Sequence, residues 1–127
     1  MLCRRVWCTK AENECRVVFV ELEEEGTGKK SIYSAGWSKN GLLGQGEKDD
    51  AKIEESAKFE KLAMEQPDVT FINMTVYKTA VMAIDQKGKL WGWGWNENYC
   101  LGISEQQDSI LKPTLLSPLN NLGMKAK

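Results

Sequence analysis

No histidine occurs among the 127 residues of the chain. This removes imidazole as a general base, as the partner of a Ser or Cys nucleophile and as a metal ligand. An excess of charge of either sign is also missing. Lys and Arg number 17 against 18 Asp and Glu, a net charge of −1, so no broad basic face exists to neutralise phosphates and no direct contact with nucleic acid is expected. Long hydrophobic runs are absent too: the most apolar stretch, Val17 to Val20, falls far short of the roughly 20 residues of a membrane helix. The first residues, MLCRRVWC, have no signal-peptide core. An intracellular, cytoplasmic chain without membrane insertion is the expectation.

The four cysteines, Cys3, Cys8, Cys15 and Cys100, include no CxxC pair, and in a reducing compartment they are expected to be plain thiols, with Cys100 partly buried. Carboxylates are plentiful, but they sit in charge runs such as Glu21 to Glu25 and Asp49 to Glu55, which read as solvated surface. Gly28-Lys29 invites comparison with a phosphate-binding loop. Glu23 stands where that loop needs its first glycine and Lys30 where it needs Ser or Thr, so a hairpin turn is the better reading. No catalytic, cofactor-binding or metal-ligating residue is assigned, and no enzyme and no cofactor are expected. Asn73-Met74-Thr75 fits a glycosylation sequon but lies in an expected strand of a cytosolic chain.

What the chain does have is an internal repeat. Tyr33, Gly36, Trp37, Asn40, Leu43 and Gly44 align with Trp91, Gly94, Trp95, Asn98, Leu101 and Gly102, every pair separated by 58 residues, as 33 and 91 are. A fixed offset of this length points to stacked or radially arranged units. With 42% apolar and 28% charged residues, the chain suits one globular domain of two such units.

Strand signals recur in both copies. Residues 5–9 and 15–22 are β-favouring runs joined by a polar turn, and CRVVFVEL is rich in β-branched residues. The glycines of EEEGTGKK reverse the chain into a third strand at Ser31 to Trp37. A turn marked by Asn40-Gly41 follows, then a polar stretch, residues 47–58, read as a surface loop, and an apolar return at 59–64. The second unit repeats the plan with strands at 69–74, 79–85 and 90–95, a turn at Gly88, a loop at 103–112 and an apolar return at 113–119. In this alignment Trp7 corresponds to Ile72. The first unit then covers about residues 4–64 and the second about 69–119, followed by a frayed tail at 120–127. Four short antiparallel strands per unit resemble one blade of a β-propeller. The fold class is therefore all-β, with two antiparallel propeller blades forming a partial propeller.

Side chains alternate across a strand, so Trp91, Trp93 and Trp95 lie on one face and Gly92 and Gly94 on the other. Bare glycines would let a neighbouring sheet come close while the indoles fill the opposite gap. The functional alternative is an aromatic platform for bases, sugars or a methylated lysine, but Lys89 is the one basic residue nearby, where a nucleic-acid platform interleaves several.

These residues carry a resemblance to the regulator of chromosome condensation family. Its repeats run roughly as aliphatic-aromatic-x-Trp-Gly-x-Asn-x-x-Gly-Gln-Leu-Gly. WGWNENYCLG supplies Trp93-Gly94, Asn96 and Leu101-Gly102, and AGWSKNGLLG keeps Gly41 while Ala35 replaces the Trp, Ser38 the Asn and Leu42 the Gln. Gly88 sits at the family's turn glycine, whereas Tyr77 and Ala80 occupy the places of its Gly-x-x-His. The resemblance implies a propeller and a non-enzymatic interaction or scaffold role. It also implies an alternative, guanine-nucleotide exchange on a Ran-like small GTPase. The expected partners are other proteins: a multi-subunit complex such as a cytoskeletal or ciliary one, or further copies of the chain, since two blades leave open ends.

Overall fold

The computed structural model describes residues 1–10, 16–37, 41–46, 55–66, 68–77, 79–96, 101 and 109–116. Among them eight strands and no helix occur: β1 (Leu2–Lys10), β2 (Arg16–Glu23), β3 (Lys30–Trp37), β4 (Glu55–Lys61), β5 (Phe71–Tyr77), β6 (Ala80–Asp85), β7 (Leu90–Trp95) and β8 (Ser109–Leu115). They form two four-stranded sheets in sequential order, β1-β2-β3-β4 and β5-β6-β7-β8, with every pairing antiparallel. Short turns between alternating runs favour this meander over any crossover.

Three sequence expectations need correction. The fourth strand of each sheet starts earlier than its apolar residues suggest. β4 begins at Glu55, inside the stretch read as a loop, and β8 begins at Ser109 rather than at Pro113. Both are edge strands that pair on one side only, through backbone contacts such as Trp37 with Glu55 and Trp95 with Ser109. Edge pairing requires no apolar side chains and tolerates Pro113 within β8.

The register also changes the alignment of the copies. Trp7 faces Phe19, which faces Ser34, and the equivalent row in the second sheet is Thr75, Met82 and Gly92. Trp7 therefore corresponds to Thr75, not Ile72. The first sheet is longer by five residues in each of its first two hairpins, since Trp7 to Phe19 and Phe19 to Ser34 exceed Thr75 to Met82 and Met82 to Gly92 by that amount.

The third correction concerns the glycines of the Trp-Gly alternation. Gly94 has φ +96°, and a Cβ there would lie 2.3 Å from the Thr79 carbonyl oxygen of its own sheet. Gly36 repeats this with φ +126° and 2.1 Å to the Arg16 carbonyl oxygen. Both sit beside a register shift against the fourth strand. Glycine is needed there for a bulge within each sheet, not for the approach of a neighbouring one. Gly94→Ala or Gly36→Ala is expected to destabilise by about 1–3 kcal/mol. Gly26→Ala is the control, because Gly26 also has positive φ (+91°) but nothing within 4 Å of its missing Cβ. Equal losses at Gly26 and Gly94 in urea titrations would contradict the steric account.

One core serves both sheets. Val17, Phe19, Ile32, Leu42 and Leu43 from the first are continuous with Phe71, Val81, Trp91, Trp93 and Leu116 from the second. The two β2–β3 and β6–β7 turns close the hairpins at the far ends, with Glu24 N donating to Lys29 O (2.8 Å) and Gly88 N to Asp85 O (3.0 Å).

Candidate interaction surfaces

The sheet–sheet junction defines what each face of the molecule can hold. Val17, Phe19, Glu21, Ile32 and Ser34 point from the first sheet toward the second and are all buried. We call this side of a sheet its distal face. Met74, Val81, Ala83, Trp91 and Trp93 point back from the second sheet and are also buried; this side is the proximal face. Trp93 is fully buried at the centre. Its ring meets Phe19 edge to face (centroids 5.9 Å, 77°) and stacks on Phe71 (5.7 Å, 30°), both favourable aromatic arrangements. The indole Nε1 donates to the Leu42 carbonyl oxygen across the junction at 2.9 Å. Gly44 lies directly beneath, where a Cβ would meet Trp93 Nε1 at 2.9 Å. This is the glycine that permits close approach between sheets.

Further hydrogen bonds cross the junction. Arg5 Nη1 donates to Phe71 O at 3.0 Å, joining β1 to β5, and Gly46 N donates to Leu111 O at 2.8 Å, joining the 41–46 turn to β8. Lys112 and Glu65 form an exposed ion pair beside the latter. The hydrogen bond from Lys112, and then its charge, hold the Glu65 carboxyl below the usual carboxylate range. A depressed folded-state pKa stabilises above the unfolded pKa, and that contribution is lost as pH falls through the folded value. Because the pair is open to solvent, Glu65→Gln is expected to change stability at neutral pH only slightly and to flatten the acid limb of the stability profile. A large loss at neutral pH, measured by urea titration across the acid range, would contradict this.

Asp85 was seen in the sequence only as a strand end, yet it organises the β6–β7 turn. It is almost fully buried. Oδ1 accepts from Lys87 N (2.8 Å) and Lys89 N (2.9 Å), and Oδ2 accepts from Trp91 Nε1 (2.9 Å). An aspartate that bonds the backbone two residues on, followed by a turn glycine, is the signal that could have found it. Gln86 ties the same turn to the approach of β5, accepting from Thr70 N at 3.0 Å and donating to Asp68 O at 2.7 Å.

The signature residues fall into three groups. Trp91, Trp93, Leu43 and Leu101 are core, so the first two form no exposed platform; Asn96 is buried, its Oδ1 accepting from Leu101 N at 3.3 Å. Gly36, Gly41, Gly44, Gly88 and Gly94 all carry positive φ. Tyr33 and Trp95 are half-buried and Trp37 is exposed. Asn40, Asn98, Gly102 and Cys100 lie outside the described residues. Cys3 and Cys8 are free and exposed. Ser34, missed in the sequence, occupies the place of Gly92 and links β3 to its turn: its hydroxyl donates to Leu43 O (2.6 Å) and receives Gln45 Nε2 (3.0 Å).

The register makes the two proximal faces directly comparable. Val6, Val18, Val20, Leu22, Tyr33 and Ala35 of the first sheet stand where the second has Met74, Val81, Ala83, Asp85, Trp91 and Trp93. Of the second set all are buried. In the first set Val6 is 58% exposed, Val18, Leu22, Tyr33 and Ala35 are half-buried, and Val20 is buried. The same face is thus fully covered in one unit and more open in the other.

The Regulator of chromosome condensation (RCC1) repeat model matches residues 87–126. The ultraviolet-B receptor UVR8 of Arabidopsis thaliana is 33% identical over 78 residues, which cover 61% of this chain and 16% of that protein. Residues 87–126 thus match an RCC1 repeat, and the longer stretch similar to UVR8 supports the same kind of repeat. The chain's two sheets are propeller blades: the crystal structure of human WBSCR16 matches with a TM-score of 0.66 at 21% identity, over 90% of this chain and 25% of that one. At that identity the likeness is one of fold. The chain spans only a small part of the length of either protein. The RCC1 match begins in the turn between β6 and β7, and the 58-residue offset places the start of the preceding copy at residue 29, in the turn between β2 and β3.

Proposed function

We propose that this chain is a non-enzymatic protein–protein interaction module, a structural element of a larger assembly in the cytoplasm. The open proximal face of the first blade supports the reading, because its equivalent in the second blade is buried beneath a neighbour. Apolar strand faces left uncovered at this density are characteristic of contact surfaces. The absence of histidine from the chain and its near-balanced charge fit a partner that is itself a protein.

Affinity capture with the tagged chain from cytoplasmic extract, set beside a Val6→Glu variant, tests this. Proteins retained in fixed stoichiometry by the parent chain and lost by the variant are expected. Retention of nothing, or identical retention by both, would remove the reading. Exchange activity on a Ran-like small GTPase is the alternative that family likeness suggests. It is distinguished by nucleotide release from the GTPase, which is expected to proceed at the same rate with and without the chain.

A further inference from the structure

The notch between the two blades, at the end where β2 turns into β3, carries charge that the fold does not require. Cys3, Arg4, Arg5, Glu21 and Lys30 line a cleft of about 180 Å³ there. Glu21 points toward the second blade, Lys30 lies two residues before Ile32 and shares its face, and Arg5, paired with Glu21, reaches Phe71 O of the second blade at 3.0 Å. Both blades that flank the notch lie within the chain.

A bulge brings consecutive residues of β1 to one cleft. Cys3 pairs with Leu22 and Arg5 with Glu21, which leaves Arg4 as the extra residue, where regular alternation would turn it to the other face. The second blade repeats the bulge between Phe71 and Asn73. In its register Phe71, Ile72, Asn73 and Ile84 stand where the first blade has Cys3, Arg4, Arg5 and Glu21. The bulge therefore belongs to the fold, and the charges do not.

Glu21 decides what the cleft can hold. It is 2% exposed, and its carboxylate forms no hydrogen bond or ion pair with a described residue. Burying a charge without a partner is costly, and the same place in the second blade holds Ile84, so packing does not call for a carboxylate. A carboxylate held in this way is a receptor for a ligand's ammonium group, while Arg4 and Lys30 beside it suit carboxylates. The free, exposed thiol of Cys3 opens onto the same cleft.

We propose that Cys3 is a thiolation site for small disulfides that carry both ammonium and carboxylate groups, the chemistry of oxidised glutathione. Glu21 receives the ammonium group, and Arg4 and Lys30 receive the carboxylates. The Cys3 sulfur gives its proton to solvent and attacks one sulfur of the disulfide. A mixed disulfide forms, the original S–S bond breaks, and the other half leaves as a thiolate that takes a proton from solvent. The incoming disulfide is itself the oxidant. The site is independent of the interaction-module reading.

Cys8 supplies an internal standard, because it is also free and exposed on β1 but lies outside the cleft. The reduced full chain is treated at low salt with oxidised glutathione or with the uncharged hydroxyethyl disulfide, and thiolation of each cysteine's peptide is followed by mass spectrometry. The ratio of the Cys3 rate to the Cys8 rate is expected to be at least about tenfold higher with oxidised glutathione, through steering by the cleft's charges. High salt is expected to remove most of this preference, and so is the pair of substitutions Arg4→Ala and Lys30→Ala. Glu21→Gln is expected to slow Cys3 with oxidised glutathione and to speed it with dithiodipropionate, which bears carboxylates alone.

The same ratio for the charged and uncharged disulfides overturns the proposal, and that comparison uses the parent chain, so it stands whether or not a variant folds. A raised ratio that survives Arg4→Ala with Lys30→Ala also overturns it. So does an equal gain in speed for both charged disulfides in Glu21→Gln, since Glu21 would then act only as a repelling charge.

Discussion

Trp93→Ala is expected to cost about 3–5 kcal/mol, the range for deleting a large aromatic from a packed core. Against a total stability of about 5–15 kcal/mol for a domain, that is about a fifth of it or more. The loss has three parts. The indole leaves Phe19 and Phe71 without their ring partner, it vacates the space over Gly44, and it removes the donor to the Leu42 carbonyl oxygen. Trp93→Phe separates these effects: it keeps an aromatic ring and loses only the donor and some volume, with an expected cost of about 1–3 kcal/mol. Because Trp93 sits between the blades, the loss is expected to shift one common transition instead of melting the second blade alone. Far-UV circular dichroism in urea reads this directly. A Trp93→Ala loss under about 1 kcal/mol would mean that the junction is not centred on this residue.

Asp85→Ala is expected to cost about 2–3 kcal/mol, because the buried Trp91 Nε1 loses its acceptor, at about 1–3 kcal/mol for an unsatisfied buried group, and the partly buried Lys87 N and Lys89 N lose theirs with smaller effect. Asp85→Asn is the finer probe. The amide oxygen can still accept from Lys87 N and Lys89 N, but the amide nitrogen then faces Trp91 Nε1, donor against donor. Pairing Asp85→Asn with Trp91→Phe removes that conflict, and the double variant is expected to be less destabilised than the two single losses summed. Strict additivity in a double-mutant cycle would place the importance of Asp85 in the turn alone and not in its bond to the indole.

Much of this architecture was legible before any coordinates. The 58-residue offset announced two units, and the β-branched run at Val17 to Val20 and the alternation at Trp91 to Trp95 placed central strands, because a buried strand must write its burial into its side chains. Edge strands carry no such obligation, which is why the polar starts of β4 at Glu55 and β8 at Ser109 went unseen. The glycines were visible, but sequence spacing alone does not separate a bulge glycine from one that admits a neighbour. That distinction needed the φ of Gly94 and the position of Gly44 under the indole. The turn role of Asp85 had a sequence signal, but its bond to Trp91 Nε1 did not, because reach between two side chains depends on register. The partners of Trp93, Phe19 from one blade and Phe71 from the other, were hidden by the same dependence on tertiary contact.

The offset between the RCC1 repeat and the blade has a practical consequence for anyone dividing the chain. A segment running from residue 29 to residue 86 is one complete copy of the sequence period, yet it holds β3 and β4 of one blade and β5 and β6 of the next. The unit of duplication and the unit of folding are out of phase by two strands. A gene copied or trimmed at the repeat boundary delivers two half-sheets, each missing the hydrogen-bonded partner of its central strand, while a cut between β4 and β5 leaves every ladder whole. Covalent continuity here runs through the blade contact, so each repeat clasps two neighbours as a stitch does and adjacent blades cannot be parted without breaking a sequence period.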